Sequence, residues 1–372
     1  MDPPLRLIHI APELPPTVGG VADYTAILTR RLVEVSDASV EPMLVHAGNQ
    51  STDAIEVEFP VVDLSGECSA GRLAATVEEL ADEATKSVAM LLEYSGYGYA
   101  KRGAPWWLLR GLRRMCGEDG IPLVTMLHEL YATGLPWTSA FWMSFAQAYV
   151  SGHLARLSRA VLTNRIASAQ WLHRYVRNGV PVRTRPVFSN VGEPTNLPEF
   201  GEREPYAVVF GGPGMKQRLY SDLSPSRVRE IQSAGIERIV DVGASGNSSE
   251  DVHGLPIERQ GLQPARTVHE ALLRARVGLL HYPIPYLTKS GIWSSYAAHG
   301  VPSLILSEPQ TTPEVSGGEH YVRLNEDKEL PSTGGLRSVG RAAWEWYQEE
   351  ATSRKTAKHV MDLLRTRCAI SR

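Results

Sequence analysis

The sequence is short of the residues and segments that mark several classes of protein. It has only three cysteines, Cys68, Cys116 and Cys368, and they are far apart with no Cys-x-x-Cys pair, so neither a disulfide framework nor a zinc site is predicted. No apolar run approaches the roughly 18 residues that cross a bilayer, and the start of the chain lacks the basic and apolar regions of a secretory signal. The expectation is a cytoplasmic protein.

An excess of charge of either sign is also absent. The 38 Lys and Arg residues nearly balance the 41 Asp and Glu residues, so bulk electrostatics gives no reason to expect a nucleic-acid partner. No Asp-x-Asp motif or histidine cluster indicates a metal, and no cofactor is expected. What the chain does have is length, because 372 residues with 43% hydrophobic content suffice for two globular domains.

Short apolar runs alternate with helical patterns in both halves of the chain. Continuous apolar runs are typical of strands that are buried on both faces of a parallel sheet. The predicted strands are 5–10, 42–47, 88–94, 122–127 and 160–163 in the first half, and 206–212, 237–246, 277–282, 302–306 and 321–324 in the second. The later predicted helices are 140–157, 166–178, 222–235, 265–276, 291–299 and 337–366. This alternation predicts an α/β fold with two lobes.

A connection between the lobes is predicted at 183–205, which contains four prolines and little periodicity. The predicted domains are therefore an N-terminal lobe at 1–190, a C-terminal lobe at 191–340, and a C-terminal helical segment at 341–372 that packs back on the N-terminal lobe. Because open α/β sheets bind ligands at the carboxyl ends of their strands, a ligand site is expected there, in a cleft between the lobes.

The loop after the first strand reads PELPPTVGGVADY, residues 12–24. Gly19 and Gly20 allow close approach of a ligand, and the free N–H groups of a following helix can hold a phosphate or another anion. An ordinary flexible turn is the alternative for this glycine pair. Asp23 and Tyr24 follow at the start of the helix.

Four features together resemble the glycosyltransferases of the GT-B fold, particularly their family 4-like bacterial group. They are the Gly-Gly-Val of this loop, the strand-end histidine of LHELYATG at 127–134, the Gly-x-Pro of AHGVPSLIL at 298–306, and the proline-rich connection. The resemblance implies two Rossmann-like lobes, of which the N-terminal lobe binds the acceptor and the C-terminal lobe binds a nucleotide sugar. It also implies transfer of a sugar in bacterial polysaccharide or glycoconjugate assembly, with retention of configuration. The lack of an Asp-x-Asp motif or a histidine cluster predicts that this transfer is independent of metal.

Polar residues at two strand ends of the N-terminal lobe are candidates for this chemistry. His128 can donate to a sugar or phosphate oxygen, and Glu129 can act as a general base, with Asp23 as the competing base. Tyr24, Tyr94 and Tyr97 are the candidates for acceptor contacts, since a tyrosine offers an apolar face and a polar tip. Packing in the core is the alternative for each of these residues.

The first strand of the C-terminal lobe is followed by FGGPGMKQR, residues 210–218. In the resembled family a basic pair at this point neutralises the leaving diphosphate, which makes Gly212, Lys216 and Arg218 the candidates here. An ordinary charged surface is the alternative.

One departure from the family concerns two glutamates that normally precede the Gly-x-Pro. Their positions are occupied by Leu287 and Ser295, which supply no carboxylate for the contacts that the family makes to the donor sugar and the ribose. The same loop offers Lys289, Ser290 and Gly291 as candidates for binding phosphate oxygens. A solvated lysine and a serine that caps a helix are the alternatives.

The segment KRGAPWWLLRGLRRM, residues 101–115, alternates basic residues with tryptophan and leucine. This pattern is typical of a helix at an anionic membrane surface, and equally of a partly buried helix with a solvated basic edge. A membrane contact would suit a lipid-linked acceptor and would place the protein at the inner face of the membrane.

Two further functions remain open at this stage. A nucleotide-sugar epimerase or hydrolase of the same fold would use His128 or Glu129 on the sugar or on a water molecule. A protein that binds a sugar nucleotide without catalysis is suggested by Leu287 and Ser295, which lack the carboxylates of the resembled family.

Overall fold

A computed structural model describes residues 5–17, 19–48, 54–84, 87–116, 120–134, 136–244, 249–324 and 329–368. The chain divides into two compact units: unit 1 is Met1–Arg185 together with Ser353–Arg372, and unit 2 is Pro186–Thr352. These divisions differ from the sequence-based ones at 190/191 and 340/341, because the chain enters unit 2 slightly earlier and leaves it later.

Unit 1 is built on a parallel sheet of seven strands in the order β3-β2-β1-β4-β5-β6-β7. The strands are β1 (Leu5–Ala11), β2 (Val40–His46), β3 (Val61–Asp63), β4 (Ser87–Tyr94), β5 (Leu123–Leu127), β6 (Ala160–Thr163) and β7 (Val182–Thr184). The helices are α1 (Gly20–Val35), α2 (Ala70–Asp82), α3 (Gly96–Tyr99), α4 (Trp106–Met115), α5 (Ser139–Leu157) and α6 (Ile166–Leu172). The strand order reverses between β1 and β4, and open α/β sheets bind ligands at the carboxyl ends of strands at such a point.

Unit 2 repeats this architecture with seven strands in the order β10-β11-β9-β8-β12-β13-β14. All neighbouring strands are parallel except β10 and β11. The strands are β8 (Glu204–Phe210), β9 (Arg238–Val242), β10 (Asp251–Val252), β11 (Leu255–Gly261), β12 (Ala275–His281), β13 (Ser303–Leu306) and β14 (Val322–Arg323). The helices are α7 (Pro213–Asp222), α8 (Pro225–Ser233), α9 (Ala265–Arg274), α10 (Gly291–Ala298) and α11 (Thr333–Glu350), with 3-10 turns at Phe200–Glu202 and Ile284–Lys289. The prediction of two α/β lobes is confirmed.

The central strands explain why that prediction was possible. All residues of β5, β6 and β13 are buried, as are the last six of β4, because helices cover both faces of each sheet. Such strands consist of continuous apolar runs, which the sequence shows directly.

The end of the chain forms two helices instead of the single stretch predicted at 337–366. The first is α11 of unit 2, and the second is α12 (Ser353–Cys368), which packs against α1 in unit 1. Arg31 Nε donates to Ser353 Oγ at 3.0 Å where α12 begins. Helix α12 thus belongs to unit 1 and begins at Ser353. Within the described residues, no helix combines the length and the apolar character that crossing a bilayer requires.

Candidate functional site

Three ionisable side chains meet near the carboxyl ends of β1, β4 and β5, the central strands of unit 1. Glu93 accepts a hydrogen bond from His9 Nε2 at 3.0 Å and, on its other oxygen, one from His128 Nε2 at 2.7 Å. His9 and Glu93 are wholly buried, whereas the His128 side chain is 9% exposed. His128, predicted from its strand-end position, is thus the outer member of a buried His–Glu–His network.

Hydrogen bonds and nearby charges set the ionisation of Glu93 at the centre of this network. The Thr29 hydroxyl donates to the Thr25 carbonyl at 2.7 Å, so its oxygen accepts from His9 Nδ1 at 2.8 Å. Both ring nitrogens of His9 therefore have a hydrogen-bond partner, Thr29 at Nδ1 and Glu93 at Nε2. Burial alone would raise the pKa of Glu93, but the hydrogen bonds and charges of His128 and His9 outweigh it, and the pKa lies below its ordinary value. The ionised Glu93 holds the His128 ring by Nε2 and leaves Nδ1 as the nitrogen for a ligand.

Helix α1 supports His128 from the side. The Tyr24 ring meets the His128 ring edge-on, with centroids 4.8 Å apart and an interplanar angle of 84°. Tyr24 is buried, and burial together with the charge of Glu93 raises its pKa, so it remains a neutral phenol. Tyr24 therefore braces the histidine instead of projecting into solvent toward an acceptor. Asp23, in the first turn of the same helix, is half-buried.

The glycine pair at the start of α1 lies beside a carboxylate that the sequence reading passed over. A Cβ on Gly19 would lie 2.6 Å from Glu13 Oε2, whereas a Cβ on Gly20 would meet nothing within 4 Å. Burial raises the pKa of Glu13; nearby His46 opposes this increase and Glu129 adds to it. The expected phosphate position at Gly19 thus faces an acidic group whose raised pKa suits proton transfer, while the backbone at Gly20 is open.

The two acceptor-side tyrosines of the β4 region have different surroundings. Tyr94 is fully buried in the core of unit 1, because the last residue of β4 directs its side chain inward. Tyr97 is 46% exposed, and its hydroxyl accepts a hydrogen bond from Gln147 Nε2 at 3.1 Å. Glu129 accepts a hydrogen bond from the hydroxyl of Ser95, at 3.4 Å. Only Tyr97 of the pair lies at the surface expected for an acceptor contact.

In unit 2, Lys216 of α7 belongs to a buried ion pair. Its Nζ donates to Asp241 Oδ1 at 2.5 Å and to the Val242 carbonyl at 2.8 Å, and Tyr220 donates to Asp241 Oδ2 at 2.8 Å. Burial lowers the pKa of Lys216, the bond to Asp241 opposes this, and the charge of Arg259 adds to the lowering. Lys216 was expected at an open phosphate site, but its side chain is only 1% exposed. Its hydrogen bonds connect α7 with the end of β9.

Two glycines bring the backbone together next to Lys216. A Cβ on Gly211 would lie 2.5 Å from Ile292 of α10, and a Cβ on Gly243 would lie 3.1 Å from the Gly211 carbonyl and 3.4 Å from Lys216 Nζ. Both glycines have positive φ, at 137° and 103°. The ends of β8 and β9 and the start of α10 thus bring backbone atoms together beside the buried Lys216 ammonium. Free backbone N–H groups at the start of a helix are of the kind that binds phosphate.

The other predicted donor residues have mixed surroundings. Gly212 is the exposed residue before α7, and Arg218 is exposed on the side of α7 away from Lys216, two residues further on. Ser290 caps α10 by accepting the Trp293 N–H at 3.2 Å, directly before Gly291. Lys289 is half-buried, with Nζ 5.9 Å from the centre of the Tyr286 ring.

The residues at the two glutamate positions of the resembled family point into unit 2. Leu287 is fully buried in its core. The Ser295 hydroxyl donates to the Gly291 carbonyl at 2.7 Å and accepts from Ser189 at 3.2 Å. Both side chains serve the packing of α10, so contacts to a donor sugar would have to come from other groups.

Arg259 is a candidate that the sequence reading missed. It lies on β11 opposite Asp241 of β9, and its Nε and Nη2 are buried with no hydrogen-bond partner among the described residues. Arg259 as a whole is half-buried, and buried guanidinium donors without a partner are costly unless a ligand completes them, which a phosphate is well suited to do. The sequence did contain one indication of this site, namely a basic residue within the partly apolar segment that forms β11.

Helix α4 corresponds to the basic aromatic segment predicted at 101–115. The Trp107 indole N–H donates to the Tyr99 carbonyl at 3.3 Å. The exposed side carries Trp106 and three arginines, Arg110, Arg113 and Arg114, whereas the apolar side is buried in the core of unit 1 through Leu108, Leu109, Leu112 and Met115. Helix α4 is thus partly buried with an exposed basic edge, and contact of that edge with a membrane stays a prediction.

Comparison with known proteins identifies the fold. No protein-family model matches the chain, and no curated protein matches its sequence. Solved structures match over nearly its whole length. An alpha-glucosyltransferase in complex with UDP and a 13-mer DNA containing an HMU base is 11% identical, with 98% of this chain and 100% of that chain covered and a TM-score of 0.60.

Two further matches have the same character. TarM is 9% identical, with coverage of 96% and 98% and a TM-score of 0.61. HepE of Anabaena in complex with UDP and glucose is 11% identical, with coverage of 98% and 100% and a TM-score of 0.58. Identities this low show the fold alone, and the closer resemblance to the family 4-like group stays a prediction. The chain has the fold of the GT-B glycosyltransferases, with two Rossmann-like lobes.

Proposed function

We propose that this protein is a glycosyltransferase that moves a sugar from a nucleoside diphosphate sugar to a carbohydrate or lipid-linked acceptor. The observation that carries the proposal is the pair of polar networks, one per unit, at the strand ends of a GT-B fold: His9–Glu93–His128 in unit 1, and Lys216–Asp241 with Arg259 in unit 2. The neighbours in complex with UDP, such as HepE, support a nucleotide-sugar donor.

Unit 2 is the proposed donor side. Arg259 supplies positive charge for the diphosphate, and the backbone at Gly211 and at the start of α10 supplies amide donors. Lys216, buried in its pair with Asp241, supports this surface from behind by fixing the end of β9 against α7. Gly212, Lys289 and Gly291 extend this surface, whereas Arg218 would have to act from the far side of α7. Cationic side chains of this kind can stabilise a leaving diphosphate without a metal, and metal independence is part of the proposal.

Unit 1 is the proposed acceptor side. His128, held through Nε2 by Glu93, presents Nδ1 to a sugar or phosphate oxygen, and Tyr97 offers an exposed ring. Glu129 and Asp23 remain the candidate bases, joined now by Glu13 with its raised pKa. Retention of configuration stays an expectation from the family resemblance, since Leu287 and Ser295 supply no carboxylate.

The biological setting is proposed on the same resemblance. A role in bacterial polysaccharide or glycoconjugate assembly, in the cytoplasm at the inner face of the membrane, fits a lipid-linked acceptor.

A panel of nucleoside diphosphates and nucleotide sugars tests the function. A nucleotide that binds the native state raises the apparent melting temperature, which identifies the base, and release of the nucleoside diphosphate is then followed with and without acceptors. Release that requires an acceptor supports transfer. Release or epimerisation without an acceptor would assign a hydrolase or an epimerase, turnover-free binding would assign a binding protein, and a panel without any hit would refute the proposal.

The donor site is tested by Arg259→Met, with Arg229→Met at an exposed position of α8 as the matched control. Loss of charge-assisted hydrogen bonds worth about 1.5–3 kcal/mol corresponds to a roughly 10- to 100-fold weaker affinity. We expect this loss for the nucleoside diphosphate and little change for the nucleoside, measured by calorimetry. The Lys216→Ala variant should show the same preference for the diphosphate. Equal losses for both ligands would contradict the assignment.

A further inference from the structure

Helix α5 carries a stripe of exposed aromatic side chains. Trp142, Phe145 and Tyr149 lie on one face at spacings of three and four residues, and the first two are 68% and 65% exposed. Trp137, just before the helix, is 78% exposed. Single exposed apolar residues are ordinary, but a contiguous set of large aromatic rings marks a surface that binds something.

The stripe continues into a neighbouring helix and becomes polar at its end. The Trp106 ring of α4 lies 5.2 Å from that of Tyr149, which in turn stacks on His153 at 3.8 Å. One turn further along the same face of α5 is the exposed Arg156. The face therefore runs from tryptophan and phenylalanine to a cation over about four helical turns.

The polar end of the stripe opens into a basic surface pocket of about 460 Å³. Its lining includes three arginines, Arg113 of α4, Arg156 of α5 and Arg177 after α6, together with His153. None of the three arginines is in an ion pair with another residue that the structure describes. Three guanidinium groups at one pocket favour a phosphate group, because arginine binds phosphate by bidentate hydrogen bonds.

We propose that the α5 aromatic face, defined as Trp106, Trp137, Trp142, Phe145 and Tyr149, docks on an anionic bilayer while the arginine pocket binds lipid phosphate groups. Aromatic rings suit the interfacial layer of a membrane, and clustered cations are attracted to anionic lipids. The charge of the pocket is what selects a membrane over a protein partner. The α4 segment predicted at 101–115 contributes to this surface only Trp106 and its basic edge, since its leucines are buried.

The buried side of α5 joins this face to the proposed acceptor side. Gln147 donates to the Tyr97 hydroxyl at 3.1 Å and to the Arg102 carbonyl at 2.9 Å, and accepts the Ala132 N–H at 2.7 Å. These bonds connect α5 with the segments that follow β4 and β5. The inference extends the proposed function by naming a surface that would hold the enzyme beside a lipid-linked acceptor, and it can be tested separately.

Flotation with vesicles tests the proposal on the full chain. We expect binding to vesicles of phosphatidylglycerol and phosphatidylcholine, weaker binding in high salt, and little binding to phosphatidylcholine alone. Replacing Arg113, Arg156 and Arg177 by Glu should weaken binding by at least about tenfold, given the contribution of each cation near an anionic surface. The double variant Trp142→Ala, Phe145→Ala should also lose binding.

Matched controls separate this surface from general charge and hydrophobicity. Arg229→Glu, Arg337→Glu and Arg354→Glu together make the same charge change at exposed positions elsewhere, and Leu262→Ala removes an exposed apolar side chain from unit 2. The controls should bind like wild type. Equal binding to neutral vesicles, unchanged binding by the pocket or aromatic variants, or binding of inorganic phosphate without any vesicle binding would overturn the proposal.

The same variants keep this result distinct from the function test. The melting temperatures of the pocket and aromatic variants with nucleoside diphosphates should rise as in wild type, because Arg113, Trp142, Phe145, Arg156 and Arg177 all lie in unit 1. Loss of vesicle binding with nucleotide binding intact supports the membrane surface, whether or not transferase activity is found.

Discussion

Glu93 and Lys216 are buried charges, and each is compensated by specific partners. Glu93 has a histidine on each carboxylate oxygen, and Lys216 has Asp241 and a backbone carbonyl. Burying a charge costs several kcal/mol unless it is paired, and an apolar replacement often serves stability equally well. Buried charges such as Glu93 and Lys216, at the strand ends where open α/β sheets bind ligands, are therefore better explained by a role in a functional site than by a contribution to stability.

Glu93→Gln should lower both stability and turnover. The substitution removes the buried carboxylate that accepts hydrogen bonds from His9 and His128, and breaking a buried network of this kind should reduce the free energy of unfolding by about 3 kcal/mol. The pKa of Glu93 is lower in the folded state, so its stabilising effect is present above the ordinary value of 4.5 and is lost as the pH falls through the folded pKa. The variant should lack this acid-side loss in urea denaturation.

An exposed carboxylate on α2 provides the control for this experiment. Glu79→Gln should change the free energy of unfolding by no more than about 0.5 kcal/mol. If Glu93→Gln unfolds like Glu79→Gln, with the same dependence on pH as wild type, the network contributes nothing to the fold. Turnover lost without a change in KM would identify Glu93 as the positioning residue of His128.

For individual residues, the sequence predicted which side chains lie at strand ends better than it predicted which side chains contact each other. His128 could be found because it directly follows an apolar strand. Glu93 lies within such a strand, and Arg259 within a strand that was not predicted, so their partners appear only when neighbouring strands are aligned. Glu13 lies in the loop at 12–24, but its proximity to Gly19 depends on how that loop folds back, which the sequence does not show.

Helix α10 shows how a short element connects the donor surface to the core. Ser290 caps its first turn, and His299 donates from Nδ1 to the Ser295 carbonyl at 2.7 Å at its end. His299 Nε2 lies 2.8 Å from His269 Nδ1 and therefore accepts from it. Burial lowers the pKa of His299 to about 3, with the charges of His269 and Arg203 adding to the effect and the Ser295 carbonyl opposing it.

A neutral buried histidine makes stability depend on pH. The unfolded chain takes up a proton at this site below pH 6.5 and the folded chain does so only near pH 3. The free energy of unfolding should therefore rise by about 1.4 kcal/mol per pH unit between these values from this residue, and its contribution is complete above 6.5. His299→Gln should remove that slope in chemical denaturation followed by circular dichroism.

The slope remains informative even if the variant is less stable at every pH. His173→Gln, at an exposed position after α6, is the control and should keep the wild-type slope. A slope unchanged in His299→Gln would mean that another group carries the acid sensitivity.

The strands show which elements a sequence pattern can reveal. The central strands were predicted because burial on both faces requires continuous apolar residues. The outer strands β3, β7 and β10 span two or three residues, and β11 alternates buried and exposed residues, so none of them gives a continuous run. The break between α11 and α12 was missed because both helices are amphipathic and only a single turn separates them.

Across the whole molecule, one of the two units is built from two separate stretches of the chain. The chain builds unit 1, then unit 2, and returns to unit 1 with α12. The chain passes from unit 2 to unit 1 between residues 352 and 353, and the helices on either side contact different units. In α11, Tyr347 accepts the Ser189 N–H at 2.8 Å and donates to Glu193 at 2.6 Å, and both partners lie in unit 2. In α12, His359 lies 3.2 Å from Arg185 of unit 1.

This division predicts opposite effects for substitutions in the last two helices. Val360 and Leu364 of α12 are buried in unit 1, and Leu336 of α11 is buried in the core of unit 2. A buried, unpaired carboxylate costs several kcal/mol. In hydrogen exchange read by mass spectrometry, Val360→Asp with Leu364→Asp should lower protection throughout unit 1, and Leu336→Asp should lower it in unit 2, each leaving the other unit protected. Loss of protection in both units from either variant would show that the chain unfolds as one cooperative body instead of two.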